Sequence, residues 1–310
     1  MGRLSHAPLT RNRCMRPPIL EGMWTMLATP MSTAGEINFA ALGALIDHQI
    51  ESGISGLLAL GSTGEFYALS AMEREEVLGF VSTHVAGRVP LLAGANGGGT
   101  NEIIGHAKAA KAAGIDTVLL APPYYSLPAQ DALRRHFEEV VSRADVQVLL
   151  YDNPAQAGVD IEIDLVGQLN SDPRIVGIKE ASGRIARVLA MQERFGSDLQ
   201  IVSGVDDLAL DLIFWGIRCW MSGPSNFLPR QMAATAKAAL DGNFDNARRM
   251  MRELWPLIAE IETGKYLARI KYCCELSGLQ VGDPRPPVFP ISQQEAARLA
   301  PLHERASKVA

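Results

Sequence analysis

The chain has 310 residues, 47% hydrophobic and 20% charged, with a formal net charge of −5 and a pI near 5.7. That balance is globular and lacks the basic surplus a nucleic-acid partner demands. No apolar run approaches the roughly 18 residues that cross a bilayer, so no membrane partner is expected.

In chain order, residues 1–18 come first, with Arg3, Arg11, Arg13 and Arg16 and no acid. Their composition is like that of a transit peptide but lacks an amphipathic pattern, and Met15 offers a second possible start. The reading is a disordered extension without function, and whether residues 1–14 belong to the natural protein stays open. From there the chain alternates. Short apolar runs predict strands over 22–28, 56–60, 90–95, 117–120, 147–151, 175–179, 200–203 and 219–221. They are continuously apolar, as parallel strands covered on both faces are. Helical periodicity between them predicts helices over 38–52, 70–86, 100–113, 129–143, 163–170, 184–195, 207–216 and 229–241. Ser70 with Glu73 reads as a capping box, and Gly53, Gly87 and Gly114 fall where helices should stop. Eight βα units favour a closed (β/α)₈ TIM barrel, an α/β fold, over an open doubly wound sheet, which remains the alternative. Two further helices, 243–263 and 265–278, follow with no strand between them. The domain reading is a barrel over 19–242 and a helical extension over 243–310 packed on it.

Cys14, Cys219, Cys273 and Cys274 form neither a CxxC pair nor a zinc-like spacing. Reduced thiols, a cytoplasmic location and no bound metal are expected.

In barrels of this kind the active site lies at the C-terminal strand ends. Lys179 ends the sixth strand, where an ammonium loses hydration and the neutral, nucleophilic amine is favoured. A lysine there could equally snorkel to solvent or pair with Glu180. Tyr151 ends the neighbouring strand, placed either to relay protons beside that amine or to plug the core. Gly61-Ser62-Thr63-Gly64-Glu65 follows the second strand. Its glycines admit a ligand to the backbone, and its hydroxyls and amides suit a carboxylate, although a glycine-rich βα turn needs no ligand. It lacks the Lys-Ser/Thr ending of a P-loop. Gly97-Gly98-Gly99 reads as a flexible loop. Gly204, Asp206 and Asp207 follow the seventh strand, and the acids either meet substrate hydroxyls or simply favour a helix N-terminus. No histidine stands at a strand end to complete a Ser-His-Asp set.

Taken together, Ala28-Thr29-Pro30, Gly61-Ser62-Thr63-Gly64-Glu65, Pro123-Tyr124-Tyr125, Tyr151-Asp152-Asn153-Pro154 and Gly177-Ile178-Lys179-Glu180-Ala181-Ser182-Gly183 come in one order along residues 20–290. The ordered set resembles the dihydrodipicolinate synthase / N-acetylneuraminate lyase family of pyruvate-dependent class I aldolases and lyases. The resemblance implies a barrel with C-terminal helices, assembled as a homotetramer, a dimer of dimers. It implies a covalent Schiff base on Lys179 with no other cofactor, and Tyr151 as proton relay. Ser62 and Thr63 would hold the carboxylate of a small 2-keto acid, with Gly61 beside them and Thr63 also linking the relay. Tyr125 would complete the relay of a neighbouring subunit, or simply pack at the interface.

Two departures bear on the substrate. Dihydrodipicolinate synthases usually carry an arginine where this chain has Gln156, and a neutral amide cannot give a guanidinium's bidentate grip on a carboxylate. Sialic acid lyases usually place a threonine where Ala181 stands, yet Asp206 and Asp207 are similar to the acids those lyases aim at sugar hydroxyls. The expectation is a lyase or aldolase acting on pyruvate or a hydroxylated 2-keto acid, such as a 2-keto-3-deoxy sugar acid, by cleavage or dehydration. An authentic 4-hydroxy-tetrahydrodipicolinate synthase, a non-catalytic keto-acid-binding protein and a metal-dependent aldolase are the alternatives.

Overall fold

Strands of four or so apolar residues cannot stand alone, and here each finds a partner on both sides. A computed structural model describes residues 19–309, so the extension expected over 1–18, with Cys14, lies outside the described residues. The strands are β1 (Gly22–Met26), β2 (Gly56–Ala59), β3 (Leu91–Gly94), β4 (Thr117–Leu120), β5 (Gln147–Asp152), β6 (Ile175–Glu180), β7 (Ile201–Ser203) and β8 (Cys219–Ser222). All pair in parallel in sequence order, and β8 returns to β1 through Gly22↔Cys219 to Thr25↔Ser222. The sheet is closed. The open-sheet alternative falls, and the TIM barrel stands.

The helices are α1 (Phe39–Glu51), α2 (Ala71–Val85), α3 (Thr100–Ala112), α4 (Gln130–Ala144), α5 (Pro154–Ala157), α6 (Ile163–Leu169), α7 (Ile185–Phe195), α8 (Ala209–Phe214), α9 (Pro229–Leu240), α10 (Phe244–Glu262), α11 (Tyr266–Leu276) and α12 (Gln293–Ser307). The capping box at Ser70 and Glu73 is present, and Gly53, Gly87 and Gly114 all take positive φ where helices end. The short α5 and the long α12 are not in the sequence reading. A capping box at Ser292 and Glu295 starts α12 and is the local signal that marks it. In the loop at Gly97–Gly99, Gly98 N donates to Glu102 Oε2 at 2.9 Å.

Alternation along each strand separates two cores. Leu57, Val118, Val148, Leu150, Ile175 and Ile178 face the helices. Trp24, Leu58, Leu92, Leu119, Leu149, Val176, Val202 and Met221, at least one from each strand, form the other cluster and fill the barrel. Between β5 and β6 the register shifts: Val148 pairs with Ile175, then Leu149 pairs with Gly177. This bulge leaves Val176 over and decides what stands opposite Tyr151.

Candidate active site

Beyond the bulge the ladder runs Leu149↔Gly177, Leu150↔Ile178, Tyr151↔Lys179 and Asp152↔Glu180. Tyr151 belongs to the inner cluster, so Lys179, its register partner, is an inner-face residue as well. The lysine is fully buried, and its Nζ sits 4.0 Å from the centre of the Tyr151 ring with no hydrogen-bond partner among the described residues. A cation at that nitrogen, ammonium or protonated imine, is attracted by the ring face. Neither solvent snorkelling nor pairing with Glu180 describes this lysine. Glu180 points to the outer layer, where Arg187 Nε donates to its Oε2 at 2.8 Å.

The Gly61–Glu65 loop is held rigidly. Leu60 and Glu65, at its two ends, both have positive φ (56° and 58°), backbone that costs non-glycine residues about 1–3 kcal/mol. Tertiary contacts hold it there. Thr29 Oγ1 donates to Gly64 O at 2.7 Å, and the buried Glu65 carboxylate pairs with the buried Lys271 of α11 and accepts from Arg285 N at 2.7 Å. Burial pushes the Lys271 ammonium down, and the nearby Glu65 opposes that. Within the loop, Thr63 Oγ1 is buried without a hydrogen-bond partner. Buried polar atoms are rarely left so, and Thr63 Oγ1 and Lys179 Nζ are two such atoms, in the loop after β2 and at the end of β6.

A cavity of about 270 Å³ is bordered by Ser62, Asn96, Tyr124, Tyr151, Asn153 and Gln156 among others; Tyr151 connects it to Lys179, which does not itself line it. Asn153 Nδ2 donates to Tyr151 Oη at 2.9 Å, and Asn96 Oδ1 accepts from Ala121 N at 2.7 Å. Gln156 lies exposed on α5 at the cavity's edge. Gly204 borders the amine from β7's side, where an added Cβ would lie 2.9 Å from Lys179 Nζ.

The paired acids, read from the sequence either as substrate ligands or as acids at a helix N-terminus, have different surroundings in the structure. Asp206 is buried, its Oδ1 accepting from Trp220 Nε1 at 2.9 Å and its Oδ2 from Tyr266 Oη at 3.1 Å. Burial pushes its carboxyl up, and each oxygen already accepts a hydrogen bond from the protein. Asp207 is exposed and lines a different groove of about 600 Å³ with Phe214, Arg248 and Trp255. That groove lies between α8 and α10, off the barrel mouth, and neither Lys179 nor Tyr151 borders it. Though larger, it holds no reactive pair. Tyr125 is also apart from the amine within one chain, 91% exposed on the loop after β4. Among the described residues no three His, Cys, Asp or Glu side chains converge as a metal set, and none of the helices is long and apolar enough to cross a membrane.

Sequence reasoning gives no role to Asn96, Asn153, Glu262 or Tyr266. Asn153 stands next to a strand end and could be found by the same argument as Tyr151. Tyr266 reaches Asp206 from α11 and has no local signal. Glu262, last in α10, keeps solvent contact at the rim. The enclosing protein and then Asp206 and Asp207 push its carboxyl up to about 7.

The profile of the dihydrodipicolinate synthetase family matches residues 19–305. The 4-hydroxy-tetrahydrodipicolinate synthase of Pseudomonas putida (strain W619) is 35% identical over 275 residues, spanning 89% of this chain and 94% of the relative. The solved 4-hydroxy-tetrahydrodipicolinate synthase of Methylacidiphilum fumariolicum SolV superposes with a TM-score of 0.90 at 33% identity, covering 94% of this chain and 97% of that one. A prophage protein of E. coli K12, solved in complex with pyruvate, gives a TM-score of 0.88 at 29% identity, covering 94% and 100%. The likeness read from five short motifs thus extends over nearly the whole chain. The chain belongs to the dihydrodipicolinate synthetase family and is a class I lyase or aldolase of the Schiff-base type.

Proposed function

We propose that Lys179 forms the Schiff base, and that the substrate is pyruvate or a hydroxylated 2-keto acid that yields pyruvate. The observation that carries this is the buried Lys179 Nζ, unpaired by any acceptor and 4.0 Å from the Tyr151 ring, which itself borders the cavity. The amine attacks the ketone carbon, and the carbinolamine loses water with Tyr151 passing the proton. The protonated imine then withdraws electrons. The hydroxyl on the carbon two away from the imine carbon gives up its proton and becomes a carbonyl, the bond between its carbon and the next one towards the imine breaks, that bond's electron pair forms an enamine, and the far fragment leaves as an aldehyde. Protonation of the enamine and hydrolysis of the imine release pyruvate and return the lysine. The imine is the electron sink, so this route calls for no metal or organic cofactor.

Ser62 and Thr63 hold the substrate carboxylate beside the Gly61 backbone, and Thr63 hands protons to Tyr151. Tyr125, with its ring in solvent within one chain, supports a homotetramer in which it completes a neighbour's relay. Asn153 and Gln156 offer neutral amides to the far end of the substrate, which favours a hydroxylated, uncharged group over a carboxylate. Residues 19–242 form the catalytic unit, with 243–310 packed on it, acting in the cytoplasm. One observation favours a second reading. Relatives at 35% and 36% identity are named 4-hydroxy-tetrahydrodipicolinate synthase, which makes condensation of pyruvate with aspartate semialdehyde the competitor.

Borohydride reduction with pyruvate should add its mass to the peptide bearing Lys179, and Lys179→Ala should lose the adduct. Pyruvate release from a panel of hydroxylated 2-keto acids, run beside heterocycle formation from pyruvate and aspartate semialdehyde, separates the two substrates. Adduct on another lysine overturns the assignment.

A further inference from the structure

Strand residues alternate in direction, so the residue after each member of the reactive pair points out of the barrel. Asp152 follows Tyr151 and Glu180 follows Lys179, and these two carboxylates are register partners, 0% and 1% exposed. Burial pushes the Asp152 carboxyl up to about 6, and two buried carboxylates side by side repel each other unless one takes up a proton or both share a cation. Arg187, in the first turn of α7, supplies it with a side chain only 9% exposed. Its Nε donates to Glu180 Oε2 at 2.8 Å, and a terminal nitrogen donates to Ile161 O while lying 3.2 Å from Asp152 Oδ2, an ion-pair contact without a hydrogen bond; a terminal nitrogen of Arg184 stands 3.9 Å from the same oxygen. The other two oxygens accept backbone hydrogen bonds: Asp152 Oδ1 from Ile161 N at 2.8 Å, and Glu180 Oε1 from Ser182 N at 2.7 Å.

The place of this cluster matters because of the bulge. Few rungs of ladder separate the shift at Val148/Leu149 from the strand ends. A one-residue slip in that stretch would set Tyr151 against Ile178, and the phenol would no longer face the amine. The bulge itself is tight, since a Cβ on Gly177 (φ 153°) would lie 2.2 Å from Gln200 O. Something must close the ladder's end.

We propose that Arg187 is a positioning residue: from the outer face of the barrel it locks Asp152 to Glu180, and so holds the Tyr151 ring over the Lys179 amine on the inner face. This rests on the Schiff-base reading of Lys179. The planar guanidinium is what allows one side chain to grip two carboxylates, and an ammonium cannot span them in the same way.

Two variants test it. Arg187→Lys keeps the charge and loses the fork. The triple variant Arg187→Met/Asp152→Asn/Glu180→Gln removes all three charges together, so no carboxylate is left unpaired. Time-resolved borohydride trapping across pyruvate concentrations reads imine formation, and circular dichroism with thermal melting reads the fold. Both variants should fold, with the half-saturating pyruvate concentration within about threefold of the parent. The saturating rate should fall about 10- to 100-fold, less in Arg187→Lys, because small misplacements of reacting groups cost that much. A saturating rate within about twofold of the parent in a folded variant overturns the proposal. Failure of both to fold overturns it too, since the cluster would then serve folding and not alignment. A parent that traps no pyruvate sinks the Schiff-base reading and this inference with it, so the two failures are told apart on the unmodified chain.

Discussion

Replacing Gly204 with alanine asks whether the amine's position, and not merely its presence, sets the rate. The new methyl carbon would sit 2.9 Å from Lys179 Nζ, 2.9 Å from Ala181 Cβ and 3.0 Å from Glu180 O. The last two atoms belong to the end of β6 and the residue after it, and cannot retreat far. The lysine tip can. To restore an ordinary contact the nitrogen must withdraw by about 0.5–1 Å, away from the side of the barrel where the methyl now stands. Overpacking of this kind costs about 1–3 kcal/mol of stability, with the melting temperature falling roughly 2–4 °C per kcal/mol. The effect on imine formation should be larger, about 10- to 100-fold, because attack on a ketone needs near-contact geometry. The assay is a borohydride time course with saturating pyruvate, read by mass, beside a thermal melt. A folded Gly204→Ala protein that traps pyruvate at the parent's rate would refute the reasoning, since the amine would then tolerate displacement.

Two further outcomes follow from the charges that hold the Gly61–Glu65 loop. Lys271→Met strands the buried Glu65 carboxylate and should cost about 3–5 kcal/mol in urea unfolding, while Lys271→Met/Glu65→Gln should recover more than half of it; equal loss in both variants would contradict the pairing. The Arg285 guanidinium bonded to Glu73 pulls that carboxyl from 4.5 to about 2. A depressed carboxyl contributes stability above its unfolded value and loses it on acidification, so the contribution fades as pH falls from 4.5 towards 2. Solvent screening at this partly exposed pair reduces it to about 1 kcal/mol. The gap in melting temperature between the parent and Arg285→Met should therefore be widest near neutral pH and narrow as pH falls from 4.5 to about 2, leaving only the part due to the Arg285 bonds to Gly35 O and Ala68 O, and a constant gap would count against the assignment.

Much of this molecule is readable from residues in a row. Runs such as Val148-Leu149-Leu150 announce parallel strands because both strand faces are covered, and burial of both faces is a local property of composition. The ends of those strands mark Lys179 and Tyr151 as candidates, and the order of five motifs identifies the family. What could not be read is anything set by contact between distant segments. The bulge that brings Tyr151 opposite Lys179 is a relation between two strands, and no periodicity within either reports it. Asp206 looks like a free acid after β7 until Trp220 and Tyr266, from β8 and α11, take both its oxygens. Glu65 looks like the end of a glycine loop until Lys271 arrives from the C-terminal helices. The chain by itself thus determined the barrel and which side chains stand at its mouth, since local hydrophobic pattern decides what is buried. Only the folded structure decided which of them face each other, because register, bulges and long-range ion pairs are settled when separate segments pack.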